Sequence, residues 1–401
     1  MQRYFIHTSH LALLFAGLLA ACTSEENLPG STPEMLLTPR LYVGATETRS
    51  IVNGTATTAS ESRISQVKLF VTQNGNLPDA SDGHTPYPGI GSGNTAGLSM
   101  FTLTTGETKD EWIGSPEVKL SNQVARIFAF SPHDADFTAS TSNDEHKIKV
   151  TVPAVQTFNG NNTWQCSTTD YLYGSSSSVA GEAANITASN KETDGSPSYS
   201  PEISMQHALS LLVFTMQSAP ARKVDVTYDY VQKVTLSSTS ETPFLVTTAE
   251  NGGTMLVKDG TLSLGSSTAS LVFTPTQNTT DGSGTTTLNA VCCGDAGKPN
   301  TVAYGLVSPL SSTPTANLTV TVLLGKQDGS ADNQRELSVD LTPKQWLKGN
   351  RYAINLTLSD RAVTVNTSTD GGSVTDWITG WNDGDSKGNG TLNPDGFIDN
   401  K

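Results

Sequence analysis

Short runs in which apolar and polar residues alternate constrain the fold of this chain more than any other feature. The segment RYAINLTL places four apolar residues on one face: Tyr352, Ile354, Leu356 and Leu358. Successive side chains of a strand point to opposite faces, so this face would be buried. Runs such as HKIKVTVP, NLTVTVLLG and ELSVDLTP repeat the pattern, with turn residues between them and hardly any helical periodicity. The sequence therefore predicts an all-β protein of antiparallel sandwiches, with Trp346 packed where RYAINLTL begins.

The charge balance excludes one large class of partners. The 401 residues carry 24 Lys and Arg against 38 Asp and Glu, a net charge of −14. Nucleic-acid binding needs a basic surface that displaces phosphate counterions, so no nucleic-acid partner is expected. Only 15% of the residues are charged, and Gly, Ser and Thr are abundant, which is typical of an extracellular β protein.

The amino terminus predicts export and lipidation. Residues 1–21 contain an early Arg3 and an apolar run that ends in Leu-Ala-Ala before Cys22. The run is shorter than the roughly 20 apolar residues that a membrane span needs, and its layout is that of a secretory signal. A cysteine after small residues is the bacterial lipobox, so Cys22 is the predicted lipidation site; the alternative is an ordinary secretory signal followed by a cysteine. The polar TSEE that follows resembles a signal for export to the outer face of the outer membrane.

The remaining cysteines, Cys166, Cys292 and Cys293, do not form a disulfide framework. Their number is odd, and two of them are neighbours in the sequence. Neighbouring cysteines cannot easily reach ordinary disulfide geometry with each other. In a strand the neighbours would face opposite sides, so one of them is expected in the core. The pattern leaves open whether Cys292 or Cys293 pairs with Cys166.

The composition changes in the middle of the chain. From Gly174 to Pro201 the sequence is rich in Ser, Gly, Ala and Asn, which is typical of a linker or a long loop. Alternating apolar runs flank it on both sides. We therefore expect two domains divided near residue 200. The segment MQHALSLL could continue as a helix, but the residues after it favour a strand.

No motif predicts a catalytic residue, a metal site or a cofactor. The glycines at 91–96 mimic a dinucleotide fingerprint without its βαβ context, which indicates a turn. The histidines lack metal-ligand spacing, and His207 among apolar residues indicates a packing histidine. Asp383 and Asp385 begin like a calcium loop that no glutamate closes. A glycan hydrolase would need a pair of carboxylates, and none can be identified.

Several phrases along the chain, taken together and in their order, resemble one known family. They are TETRS at 46–50, RISQVKLFV, RIFAFSP, VPAVQT, TDYLYG, MQHALSLLVFTM, LTPKQWLKGNRYAINLTL and VTDWITGW. In this order, from about residue 41 to 381, the phrases resemble those of the fimbrillin (type V pilin) superfamily.

The resemblance implies two tandem transthyretin-like sandwiches and a defined processing scheme. Residues 22–49 would be a lipidated propeptide carrying a removable first strand, from about Leu36 to Ala45. Residues 50–200 would form the N-terminal sandwich and 201–401 the C-terminal sandwich with a C-terminal strand and a polar tail. An arginine- or lysine-specific protease would cut after Arg49, with Arg40 as the alternative site.

The function that follows from the resemblance is structural. The chain would be a pilus subunit at the outer membrane and cell surface, joined to other pilin subunits by strand exchange and serving adhesion to host or bacterial receptors. Removing a sandwich strand exposes a groove with unpaired edges, which is a template for another strand. The alternative is a lipid-anchored glycan- or host-binding protein that does not polymerise, since a sandwich fold alone does not fix function.

Overall fold

The fold is known from a computed structural model, which describes most of the chain. The described residues are 35–43, 64–73, 84–90, 96–104, 111–141, 145–160, 166–176, 186–190, 192–193, 196–197, 199–276, 290–310, 312–342, 345–365, 374–376, 391–392 and 398–399. Within these ranges every regular element is a strand, and no helix is present that could cross a membrane.

The strands are short and numerous. In the first half of the chain they are β1 Met35–Leu36, β2 Arg40–Val43, β3 Gln66–Gln73, β4 Leu98–Thr104, β5 Glu111–Ser115, β6 Lys119–Leu120, β7 Ala125–Ser131, β8 Phe137–Thr138, β9 Lys147–Val150, β10 Val155–Asn159, β11 Leu172–Ser175, β12 Ile186–Ala188, β13 Glu192–Thr193, β14 Ser196–Pro197 and β15 Glu202–His207. In the second half they are β16 Ser210–Ser218, β17 Tyr230–Ser238, β18 Phe244–Val246, β19 Gly253–Leu256, β20 Leu262–Leu264, β21 Ser266–Thr268, β22 Ser270–Thr276, β23 Val291–Cys292, β24 Asn300–Val307, β25 Leu318–Gly325, β26 Arg335–Leu341, β27 Asn350–Leu358, β28 Val363–Val365, β29 Val374–Asp376, β30 Thr391–Leu392 and β31 Ile398–Asp399.

Two sheets built mainly from strands of the second half pack face to face. One has the order β24-β16-β27-β28, with β29 also on β27, and the other has the order β10-β22-β17-β25-β26, with β23 on β17. Alternating residues of both sheets point inward, and the rings of Phe214 and Phe273 lie 5.4 Å apart between them. These residues belong to a large cluster, here called the main core, which also contains Leu356 and Leu358.

The third large sheet, here called the N-terminal sheet, has the order β2-β15-β11-β7-β3-β4-β5, with β12 on β7. Both faces of its central strands are buried, because strand alternation sends neighbouring side chains to opposite sides. In β7, Phe128 and Phe130 join the main core, whereas Ile127 and Ala129 join a second cluster. This second cluster, here called the outer core, also contains residues of β2, β3, β6 and β15.

Strands from the first half of the chain complete sheets of the second half. β9 pairs with β19, and β10 lies parallel to β22 at the edge of its sheet. The buried side chain of Gln156 in β10 then joins that sheet to the facing one, because it donates to the carbonyl of Leu306 at 2.6 Å and accepts the Leu306 amide at 3.1 Å. Local alternation did not reveal these pairings.

The predicted all-β class is confirmed, and the multi-sheet arrangement is consistent with tandem sandwiches. Most strand pairs are antiparallel, but three are parallel: β2–β15, β10–β22 and β16–β27. The MQHALSLL segment forms strands, as expected. All four residues of the RYAINLTL face and Trp346 are buried, which confirms that prediction. The division of the chain into domains near residue 200 stays a prediction.

Candidate functional site

The first described segment of the chain, residues 35–43, closes the N-terminal sheet and is the candidate site. β1 pairs antiparallel with β6, and β2 lies parallel to β15 at the edge of the N-terminal sheet. The expected single strand from Leu36 to Ala45 is therefore split in two within its described part. Cys22 and Arg49, the predicted lipidation and processing sites, lie outside the described residues.

The side chains of this segment alternate between the interior and the solvent. Leu37, Pro39 and Leu41 are buried, whereas Leu36, Thr38 and Arg40 are exposed. Leu37 and Leu41 belong to the outer core together with Ile203 of β15. The segment therefore fills an apolar groove with every second residue, as expected for a strand with one buried face.

The main chain of the segment is bonded on two sides. The amide of Leu37 donates to the carbonyl of Val118 at 2.9 Å. The amides of Thr38 and Arg40 donate in the other direction, to the carbonyls of Tyr199 and Pro201, at 3.0 and 2.9 Å. Residues that alternate along a strand direct their amides to alternate sides, which explains the division. The segment thus ties the strand beside Val118 to the edge of β15.

Two side chains of the β15 region add polar contacts. The hydroxyl of Ser200 donates to the carbonyl of Thr38 at 2.8 Å. Glu202 faces Arg40, with 3.8 Å between the carboxylate and the guanidinium. Both of these charged side chains are more than half exposed, so their attraction is weak. Their contribution is to favour one register rather than to add much stability.

Loss of this segment would leave a groove of defined chemistry. Ile203 and Met205 of β15 are fully buried at present, and they lie in the outer core beside Leu41. Without β2 their side chains would meet water, and the carbonyls of Tyr199 and Pro201 would lose their partners. An exposed sheet edge with an apolar floor is a template for another strand.

Arg40, the alternative processing site, lies within β2, and its amide is part of the ladder. A protease needs an extended, accessible chain, so a bond inside a paired strand would be cut only after the strand opens. Sequence reasoning identified the segment but missed its partners, Ser200 and Glu202. LTPRL at 37–41 and YSPEI at 199–203 share one pattern of residue types, but this signal becomes useful only once the two segments are known to be neighbours.

Four other residues considered from the sequence, one histidine and three cysteines, lie among the described residues. His207 is buried, with its Nδ1 atom 2.9 Å from a carboxylate oxygen of Asp170, which confirms its reading as a packing histidine. The three described cysteines are unpaired thiols, and Cys293 is the buried member of the vicinal pair. Burial raises the pKa of Cys166 to about 11 and that of Cys293 to about 12, so both are protonated at neutral pH. In the described ranges, no group of three acidic, histidine or cysteine residues could hold a metal ion.

A buried ionic cluster lies beside the first residues of β17 and β26 and the end of β27. Asp229 is fully buried and contacts Arg222 at 2.6 Å, as well as Arg335. Burial by itself would raise the pKa of Asp229, but the hydrogen bonds from Arg222 and the amide of Asp225, with the charges of both arginines, lower it below its ordinary value. Arg222 also contacts Asp360, just beyond the end of β27. The cluster thus joins three separate parts of the chain.

Comparison with known proteins places the fold. No protein-family model and no curated protein matches the sequence. A solved fimbrial protein from Bacteroides vulgatus matches with a TM-score of 0.50 and 13% identity, over 86% of this chain and 100% of that one. A proposed cell adhesion protein from Bacteroides uniformis (TM-score 0.44, 14% identity) covers the same shares. A fimbrial assembly protein from Parabacteroides distasonis (0.34, 11%) matches over 83% of this chain and 99% of its own. The chain has the fold of the solved fimbrial protein from Bacteroides vulgatus.

Proposed function

We propose that this protein is a structural subunit of a fimbrial or adhesive surface assembly. It is exported as an outer-membrane lipoprotein through Cys22 and is processed after Arg49. Processing releases residues 35–43, and the vacated groove accepts a strand from another subunit. In this scheme the protein has no catalytic role, and its partners are other subunits and surface receptors on host or bacterial cells.

One observation carries the proposal. The segment that would be removed ends the N-terminal sheet, so it can leave without separating any other strand pair of that sheet. It also fills the outer core with Leu37 and Leu41, so its loss exposes an apolar surface. A strand that is both peripheral and apolar protects a polymerising surface until it is removed.

The order of features along the sequence supports the same scheme. The lipobox precedes the apolar segment, and a polar stretch with Arg49 follows it. A cut after Arg49 would therefore separate the lipid anchor and β2 together from the rest of the chain. The fold shared with a fimbrial protein is in keeping with this function, although fold alone does not assign it.

The experiment that tests the proposal is processing of the purified precursor with an arginine-specific protease. We expect Ser50 as the new amino terminus and polymers in gel electrophoresis and electron microscopy. An Arg49→Ala variant should resist both steps, whereas Arg40→Ala, which retains the loop arginine, should behave like the natural chain. Normal assembly of Arg49→Ala and failure of Arg40→Ala would move the cut to Arg40.

A processed protein that stays monomeric, although its amino-terminal segment has left, would contradict the proposal. It would favour the lipid-anchored glycan- or host-binding alternative. A separate experiment addresses the anchor: Cys22→Ala should abolish labelling with fatty acid and membrane fractionation, and the matched Cys166→Ala variant should keep both. Continued labelling of Cys22→Ala would contradict lipidation at this residue.

A further inference from the structure

The two strands that meet at the candidate site carry the same pattern in the same register. LTPRL at 37–41 lies beside YSPEI at 199–203, and Arg40 pairs with Glu202 while Leu41 pairs with Ile203. Each segment thus has an apolar residue, a hydroxyl residue, a proline, a charged residue and a second apolar residue. The two charged residues have opposite signs and face each other.

The position of proline in this pattern follows from the direction of the amides. The amides of Thr38 and Arg40 point to β15 and donate to it, whereas the amide of Leu37 points the other way. The residue between Thr38 and Arg40 directs its nitrogen away from β15 in a regular strand, so Pro39 removes no bond of this ladder. Proline at either neighbouring position would remove one.

We infer that the edge formed by residues 199–203 selects the strand that it binds by chemistry, rather than accepting any apolar strand. The accepted segment is extended and runs parallel to β15. It has apolar residues at its first and fifth positions, amide donors at its second and fourth, a third position that tolerates proline, and a cation at its fourth. The occupant is a strand of a second subunit, and this inference rests on the proposed release of residues 35–43.

Each element of the edge has a separate task. The carbonyls of Tyr199 and Pro201 require the amide donors, and the hydroxyl of Ser200 binds the carbonyl at the second position. Glu202 disfavours an acidic residue at the fourth position, because like charges directly opposite each other destabilise a strand pair. Main-chain bonds thus supply affinity, and Glu202 discriminates between strands.

Synthetic peptides test which strands the edge accepts, because a peptide that binds must replace the released segment. The precursor cut after Arg49 is mixed with a labelled peptide of residues 35–45, and binding is followed by fluorescence anisotropy. A methyl group on the amide of Arg40 should weaken binding about tenfold, equivalent to the net loss of one hydrogen bond. The matched control has the same methyl group on the amide of Leu41, which faces away from β15, and should bind nearly as well as the unmodified peptide.

The charge is tested in the same assay. A peptide with Arg40→Glu should bind about two- to fivefold more weakly, the range for an exposed ion pair. A protein with Glu202→Lys should reverse that preference. Equal binding of the two methylated peptides, or an unchanged preference in Glu202→Lys, would overturn the inference and leave the proposed function standing. If even the unmodified peptide does not exchange, the proposed release fails and the inference fails with it.

A measurement on the uncut chain does not depend on release. Arg40→Glu and Glu202→Lys should each speed hydrogen exchange of the amides of Thr38 and residue 40 about two- to fivefold. The double charge reversal should restore the natural rate, because the pair is again of opposite sign. Rates in the double variant that equal or exceed those of the single variants would overturn the role of Glu202. Arg40→Lys, which keeps the charge, is the control.

Discussion

Two parallel strand pairs in this molecule have the same bonding pattern but differ in position, since one lies at the edge of its sheet and the other in the interior. β2–β15 has four paired residues and ends its sheet, whereas β16–β27 has eight and lies between β24 and β28. The side chains of β27 meet a facing sheet in the main core, and Arg222 of the ionic cluster contacts Asp360 just beyond the end of the strand. β2 has only the outer core beneath it. Position within the sheet, rather than strand type, therefore determines which strand can leave.

The largest effect should come from the cluster that holds the end of β27. Asp229→Asn removes the buried carboxylate that both Arg222 and Arg335 contact, so the free energy of unfolding should fall by about 3–5 kcal/mol. Chemical denaturation of the natural and variant chains measures this. If the free energy of unfolding falls by less than about 1 kcal/mol, the cluster does not stabilise this end of the sandwich.

The same cluster predicts a dependence on pH. The pKa of Asp229 is lower in the folded chain than in the unfolded one, whose value is about 3.9. Its stabilisation is therefore fully present above about pH 4 and is lost as the pH falls through the folded value. The loss should be absent in Asp229→Asn, so the difference in stability between the two chains should shrink in acid. A constant difference across that range would contradict the lowered pKa.

The next effect should be at the centre of β27. Leu356 is buried in the main core, and Leu356→Ala should lower the free energy of unfolding by about 2–5 kcal/mol through lost burial and a cavity. Thermal and urea unfolding of the purified chain measure it. Thr357→Ala, on the other face of the same strand, is the control and should change little. A neutral Leu356→Ala would place that face in solvent.

A smaller effect is expected for the corresponding leucine of β2. Leu41→Ala should weaken the attachment of the segment by about 1.5–3 kcal/mol, the value for burial alone, because an edge groove can close over the missing atoms. The loss should appear as faster hydrogen exchange near residues 38–41, and the unfolding of the remaining sheets, from which the segment has already detached, should be almost unchanged. If global stability falls as far as in Leu356→Ala, β2 is an integral part of the fold and the contrast between the pairs fails.

The smallest effect is expected at the exposed charge pair. Arg40→Ala should change the free energy of unfolding by less than about 1 kcal/mol, since the pair with Glu202 is solvated. High salt should reduce even this difference. A larger loss that salt does not reduce would show that the arginine stabilises β2 through packing.

What the sequence predicted depends on the range of the interaction. The burial of Ile354 and Leu356 follows from local alternation, and the structure confirms it. The partner of a strand does not follow from alternation, so the pairing of β10 with β22 was not foreseen. β15 shows the same limit, because it lies in one alternating run with β16 and yet pairs with β11 and β2.

The candidate site shows the same limit. Leu37 and Leu41 were recognised as an apolar segment because they lie in one short run. Ser200 and Glu202 were not connected to them, since a hydroxyl and a carboxylate in a polar stretch have no periodicity that marks them. The matched spacing of prolines in LTPRL and YSPEI is informative only once the two segments are known to be neighbours.

The distance along the chain between β2 and its partner has a consequence for the time course of folding. Thr38 and Ser200 are 162 positions apart, and β10 pairs with a strand more than one hundred residues later. Contacts between distant residues form slowly, because a large loop must close before they add stability. Synthesis makes the segment at residues 35–43 early, yet its edge exists only after residue 205 has been made. The apolar residues of the segment therefore remain without their groove during synthesis. The edge is among the last parts of the N-terminal sheet to form.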